Sequence, residues 1–252
     1  MIKAILFDVG GTLHVSPPQP GRPERFAARL IERLGDYGIR LDTTPEALAV
    51  TLARTTEEYK HYSEQTLREY PTTEIWCDWF LKDFHLDPEK IAPIAEELSF
   101  LYDYERPRVM RREHMTQTLK LLKAQGYRLG IISNIISKSV MPHFLMEYGI
   151  DDLMDCVVLS STTGIRKPSA EIYRAAEKAL GLRPEELAFV GDTISRDVIG
   201  TRNAGWRLMI RITNPGTAFR DAGLEDAAKP DYTIKDLSEI PDILARENMK
   251  EA

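Results

Sequence analysis

The chain has 252 residues, of which 43% are apolar and 29% charged, with a formal net charge of −6. That length suits one large domain or two medium ones, and the acidic balance argues against nucleic acid, whose phosphates demand a basic surface. No run approaches the ~18–20 apolar residues of a membrane span and no apolar leader opens the chain, so a cytoplasmic protein without membrane association is expected.

The run Ala4-Ile5-Leu6-Phe7-Asp8-Val9-Gly10-Gly11-Thr12-Leu13 reads as a buried strand that delivers one carboxylate, Asp8, onto a glycine turn. In open α/β sheets ligands gather just beyond the carboxyl ends of such strands. The prolines of Ser16–Pro23 stop both helix and central strand, so a linker follows. Four helical patterns come next. The first spaces Phe26, Leu30 and Leu34 on one face. The second opens with Thr44 as N-cap and Pro45 at its first turn. The third is aromatic, with Ile75, Trp76, Trp79, Phe80 and Phe84. The fourth opens at Asp87-Pro88 and runs through Ile91, Ile94, Ala95, Leu98 and Leu101. Residues 17–106 therefore read as an inserted helical bundle. Its aromatic third helix suits the bundle's own core or a contact between two copies, so a monomer and a homodimer both stay open. Arg106, Arg108, Arg111 and Arg112 read as a solvated hinge face.

Helices and strands then alternate. A helix around Met115–Leu122 ends at Gly126 and leads to a strand over Arg128–Ser133. Three further strands are predicted over Cys156–Ser160, Leu187–Val190 and Leu208–Ile212. Helices precede the last three over 138–149, 170–180 and 195–204. This rhythm implies right-handed βαβ units and a parallel sheet with helices on both faces. The residues after Ile243 read as a frayed, charged helix end. Cys77 and Cys156 make no metal-binding spacing, and their scarcity suits a reducing compartment.

Polar groups stand at several predicted strand ends. Asp8 follows the first strand, Ser133 and Asn134 the second, and Asp192 the fourth, with Asp197 about one helical turn on. Lys167 lies between the third strand and its helix. Parallel strands bring such groups to one rim. Asp8 and Asp192 are hard oxygen donors suited to Mg²⁺, while a lysine and a hydroxyl suit the oxygens of a phosphoryl group in transfer. Asp8 can then act as a nucleophile and form an aspartyl-phosphate.

Four segments carry this set: Asp8-Val9-Gly10-Gly11-Thr12-Leu13, Ser133, Lys167-Pro168, and Gly191-Asp192-Thr193-Ile194-Ser195-Arg196-Asp197. In this order, with a helical insert after the first, they resemble the haloacid dehalogenase superfamily over essentially the whole chain. The resemblance implies a three-layer, Rossmann-like α/β core from residues 1–15 and 107–252, with a helical cap from 16–106. It implies catalysis by Asp8 and Lys167, and Mg²⁺ held by Asp8, Asp192, Asp197 and the backbone carbonyl of Gly10. Asp197 would orient Lys167 or a water on the metal. Ser133, Asn134, Lys167, Gly11 and Thr12 would receive the phosphoryl group of a small phosphorylated metabolite. The cap would close over the site and select the substrate.

One position departs from the family pattern. Phosphatases of this family carry an aspartate two residues after the nucleophile, where it protonates the leaving group and then activates water. Here that residue is Gly10. Loss of such acid–base help costs ~10²–10⁴-fold. His14 or a cap residue is the available substitute. The alternatives are a catalytically weak or idle phosphate-binding relative, a carbon–halogen hydrolase, and a carbon–phosphorus hydrolase using Lys60, Lys82 or Lys90.

Overall fold

The computed structural model describes residues 1–224 and 226–250. A six-stranded, all-parallel sheet forms its centre, in the order β5-β4-β1-β6-β7-β8. The strands are β1 (Ala4–Phe7), β4 (Arg128–Ser133), β5 (Met154–Leu159), β6 (Leu187–Gly191), β7 (Leu208–Ile212) and β8 (Tyr232–Ile234). β1 is flanked by β4 on one side and β6 on the other, so the chain order reverses beside it. That is the switch point at which open α/β sheets form their crevice. The expected strands are all present, β4 and β7 with the expected bounds. β8 was not anticipated.

Side chains alternate across the pleat. Ile5 and Phe7 face one layer with Leu129, Ile131, Val190 and Ile210. There they meet α6 (Met115–Ala124), α7 (Val140–Tyr148) and α11 (Ile240–Met249). Ala4 and Leu6 face the other layer with Ile132, Phe189 and Met209, against α9 (Ala170–Leu180) and the short α10 (Ile199–Ala204). The tail corrects the expected fraying. α11 runs to Met249, buries Ile243 and Leu244, and its Asn248 side chain accepts the Ile2 N–H at 2.7 Å.

Between β2 (His14–Val15) and β3 (Met110–Arg111) the chain leaves the sheet. These two short strands pair antiparallel, so exit and return run side by side. The excursion holds α1 (Arg22–Asp36), α2 (Pro45–Thr66), α3 (Thr72–Glu74), α4 (Pro88–Ile91) and α5 (Ala95–Tyr104). Thr44 caps α2 as expected, accepting from the Ala47 N–H. The aromatic segment is not a regular helix: α3 passes into a π-helical turn over Ile75–Phe80 and a 3₁₀ turn over Lys82–Phe84. The fourth pattern breaks into α4 and α5 because Pro93, lacking an N–H, cannot continue a helix. These helices form their own apolar cluster, in which Trp76 is wholly buried and donates to Ser99 Oγ at 3.0 Å.

Polar bonds join the helical excursion to the sheet domain. Leu67–Glu69 lies against Gly164–Arg166, with two backbone bonds at 3.0 Å. Glu69 accepts from Arg166, Tyr59 and Ser160. Glu96 and Asp103 of α5 accept backbone N–H groups of residues 136–139 at the start of α7.

The Glu69 side chain is 0% and that of Arg166 8% exposed. Removing one partner of such a pair leaves an uncompensated buried charge and costs about 3–5 kcal/mol. Glu69→Ala is therefore expected to lower unfolding free energy by that order in a denaturant titration. A midpoint equal to wild type would contradict this account of the joint.

Candidate active site

Asp8 follows β1 directly, between the ends of β4 and β6. The next residues form a tight turn: the N–H groups of Thr12, Leu13 and His14 all donate to the Val9 carbonyl. Gly11 has φ +99°, and a Cβ there would lie 2.1 Å from an Asp192 carboxylate oxygen. Only glycine lets the two carboxylate-bearing turns approach so closely. Gly191 is constrained likewise, since a Cβ there would meet the Asp197 side chain at 2.4 Å.

Lys167 joins the set. Its ammonium donates to Asp8 Oδ1 and to Asp197 Oδ1, both at 2.7 Å, and its side chain is 1% exposed. Asn134 fixes the lysine from behind, accepting the Lys167 N–H at 2.8 Å and donating to the Lys167 carbonyl at 3.1 Å. Asp197 Oδ2 accepts the Asp192 and Thr193 N–H groups and the Thr193 hydroxyl. Both Asp197 oxygens are thus engaged within the protein. Asp192 Oδ2 accepts from Asn214 at 2.9 Å and from the Thr217 hydroxyl.

The charges are strongly coupled. Burial lowers the Lys167 pKa, but Asp197 and Asp8 outweigh it and keep the amine protonated. Burial raises Asp197, yet the charge and hydrogen bond of Lys167 and the bonds from Thr193 hold it below the usual carboxylate range. Asp8 goes up through burial, against the pull of Lys167. Asp192 is pushed up to about 7 by burial and by repulsion from Asp8 and Asp197. Each of these three carboxylates offers an oxygen within 4.8 Å of the others. An all-oxygen donor set with more negative than positive charge fits a hard divalent cation such as Mg²⁺.

The expected site residues divide into groups. Asp8, Gly10, Gly11, Ser133, Asn134, Lys167, Asp192 and Asp197 all line one cavity of about 510 Å³. Thr12 lies beneath it, fully buried, with its hydroxyl 3.4 Å from Asp8 Oδ2. The Gly11 N–H is taken by the His14 carbonyl at 2.7 Å. Gly10 is exposed, and a Cβ built on it meets nothing within 4 Å. The missing aspartate is therefore not a steric necessity. Of the lysines considered in the insert, Lys60 pairs with Glu57 and Lys82 with Glu58, and neither they nor Lys90 line the cavity.

Other contributors were not anticipated. Asn214 and Thr217 come from the segment after β7, where a turn signal, Asn214-Pro215-Gly216, stands at a strand end. The expected solvated hinge face does not hold for Arg112, which donates to the Gly11 carbonyl at 2.6 Å and to the Thr213 carbonyl at 3.0 Å; Arg106 is exposed, as expected, and also lines the cavity.

A family profile for haloacid dehalogenase-like hydrolases matches residues 2–205, so the chain belongs to that hydrolase family. It is 32% identical over 254 residues to a glyceraldehyde 3-phosphate phosphatase of Pyrococcus furiosus, covering 98% of this chain and 95% of the relative. A glyceraldehyde 3-phosphate phosphatase of Methanopyrus kandleri is 27% identical over 245 residues, covering 97% of each. Among solved structures, a 2-haloacid dehalogenase from Pseudomonas syringae superposes with a TM-score of 0.67 at 25% identity, covering 98% of this chain and 99% of that one.

His14 is buried, 2.9 Å through Nδ1 from the Tyr148 hydroxyl and edge-on to Phe144. Burial pushes its pKa down to about 4. An unfolded histidine titrates near 6.5, so between pH 6.5 and 4 the unfolded chain binds the proton that the folded chain refuses. Stability from this group is present above pH 6.5 and is lost as pH falls towards 4, on the order of 3 kcal/mol in all. The fall in unfolding free energy over that window should be shallower in His14→Gln. Equal slopes for both proteins would contradict a buried, neutral His14.

Proposed function

We propose that the protein is a Mg²⁺-dependent phosphohydrolase that acts on a small phosphorylated metabolite through an aspartyl-phosphate on Asp8. The observation that carries this reading is the convergence of Asp8, Lys167, Asp192 and Asp197 at the carboxyl rim of the sheet. Asp8 and Asp192, with the Gly10 carbonyl, are the direct holders assigned to Mg²⁺. Asp197, with both oxygens engaged by Lys167 and the Asp192–Thr193 turn, is a positioning residue. The cation supplies charge neutralisation for an approaching phosphate. Asp8 attacks phosphorus, Lys167 and Ser133 take phosphoryl oxygens, and Asn134 holds the Lys167 backbone in place. The excursion of residues 16–106 acts as a cap that roofs the cavity and excludes water.

A dehalogenase expels halide and has no use for a cation-binding carboxylate set, so the triad favours phosphate chemistry over the carbon–halogen reading. The carbon–phosphorus reading loses its lysine, since none of the three considered reaches the cavity. The idle-relative reading rests on Gly10 alone. The site nonetheless keeps its nucleophile and an open position where an acid would stand.

Hydrolysis of p-nitrophenyl phosphate and acetyl phosphate should require Mg²⁺, stop with EDTA, and fall at least 10³-fold in Asp8→Asn. Mg²⁺ should also raise the melting temperature of wild type and not of Asp192→Asn. Gly10→Asp should raise turnover of an alkyl phosphate, with an upper bound of about 10²–10⁴-fold set by the worth of acid–base catalysis. Turnover retained in Asp8→Asn would refute the reading.

A further inference from the structure

The cavity holds nucleophile, ammonium and carboxylates, and Gly10 leaves it without an acid two residues after the nucleophile. Lys167, Asp197 and Asp192 are bonded as above. His14 faces Tyr148, and Asp103, whose carboxyl burial pushes up to about 7, accepts the Ile136 and Ser137 N–H groups at 3.1 and 2.8 Å on Oδ2 alone. Instead, four arginines line the wall: Arg22, Arg106, Arg196 and Arg220. Two of them are already satisfied. Arg22 donates to the Pro107 carbonyl at 3.0 Å, and Arg106 lies 4.1 Å over the Tyr102 ring.

Arg196 and Arg220 are different. Arg196 pairs with Glu64 of α2, yet its Nε is buried and has no partner. Arg220 has only a distant ring contact, 5.8 Å to the Phe219 centroid, with no ion pair or side-chain hydrogen bond among the described residues, and its Nε is likewise buried and unpartnered. It sits three residues beyond Thr217, the residue that holds Asp192. The charges of Asp192 and Asp8 reach it, and so does the repulsion of Arg196. Two cavity-lining guanidinium groups, each with a buried N–H that has no partner, suit an oxyanion, because leaving such donors unpaired is costly and an oxyanion matches the guanidinium fork.

This bears on Gly10. A general acid is worth ~10²–10⁴-fold, and one preorganised donor to a developing negative charge is worth ~10²–10³-fold. Holding the leaving group as an anion is thus comparable to protonating it. Resting on the phosphohydrolase reading, we propose that Arg220 and Arg196 bind the departing group, and that the substrate is a phosphoric anhydride whose second half is an oxyacid. The Asp8 carboxylate oxygen bonds to phosphorus. The P–O bond to the bridging oxygen breaks, and its electron pair stays on the leaving phosphate or carboxylate, which needs no proton. Water then adds to phosphorus, the Asp8–P bond breaks with its pair returning to Asp8, and both water protons leave with the dihydrogen phosphate.

The test compares wild type, Arg220→Gln and Arg220→Lys on pyrophosphate, acetyl phosphate and glycerol phosphate, with Mg²⁺. Wild type should prefer the two anhydrides over glycerol phosphate by at least 10³-fold in kcat/KM. The ratio of pyrophosphate to glycerol phosphate should fall at least tenfold in Arg220→Gln, with part of it regained in Arg220→Lys. Equal losses on all substrates, or glycerol phosphate turned over as fast as pyrophosphate, would overturn the proposal. Calorimetry with methylenediphosphonate and with inorganic phosphate is independent of turnover. Arg220→Gln should weaken the diphosphonate at least tenfold more than it weakens phosphate, and equal weakening would overturn the arginine site. Absence of Mg²⁺- and Asp8-dependent turnover in wild type would instead refute the phosphohydrolase reading, with the diphosphonate titration still deciding the role of Arg220.

Discussion

The Lys167 ammonium, buried between Asp8 and Asp197, is the interaction on which the rest of the site depends. A lysine is tolerated in the interior only when it is paired, and here both partners are carboxylates at 2.7 Å. Breaking either contact would leave a buried charge short of a partner. The lysine holds Asp197 ionised, and Asp197 in turn accepts the N–H groups that shape the turn carrying Asp192. One ion pair thus sets the separation of two turns from opposite sides of β1.

The backbone supports the same arrangement from outside. Asn134, at the end of β4, bonds both the N–H and the carbonyl of Lys167, so the lysine is positioned before its charge is considered. Gly11 lets the Asp8 and Asp192 turns approach to a distance at which a side chain would collide, and Gly191 leaves room for the Asp197 side chain within its own turn. Arg112 ties the Gly11 carbonyl to the Thr213 carbonyl beyond β7. The carboxylates that crowd at the centre repel one another, and burial together with that repulsion pushes the pKa of Asp192 up to about 7. A divalent cation bound among these carboxylates would relieve the repulsion.

Much of this was legible in the sequence, for physical reasons. Strands buried on both faces read as continuous apolar runs, and polar residues followed them at the rim, at the strand end itself for Asp8, Ser133 and Asp192 and in the connection after β5 for Lys167. Hence Asp8, Ser133, Lys167 and Asp192 could be placed together without a structure. Caps such as Thr44 and stops such as Gly181 mark helix ends through local chemistry. What was not legible depends on distant partners. The π-helical turn at Ile75–Phe80 carries the same apolar spacing as a short α-helix, and only packing against α2 and α5 distinguishes them. α11 looked frayed because Ile243 and Leu244 are buried in the core shared with α6, and Asn248 finds its partner, Ile2, at the other end of the chain. Asn214, Thr217 and Arg220 lie in a loop and the short 3₁₀ turn Ala218–Asp221, too brief to show a periodicity, and only the fold brings them to Asp192.

The central claim is that Asp8 carries the phosphoryl group between substrate and water. It is tested most directly by acid-quenching the enzyme during turnover of acetyl phosphate with Mg²⁺ and mapping its peptides by mass spectrometry. A phosphoryl group on the peptide containing Asp8, present in wild type and absent from Asp8→Asn, is the expected result. Sustained phosphate release with no phosphorylated Asp8 peptide at any quench time would contradict the account.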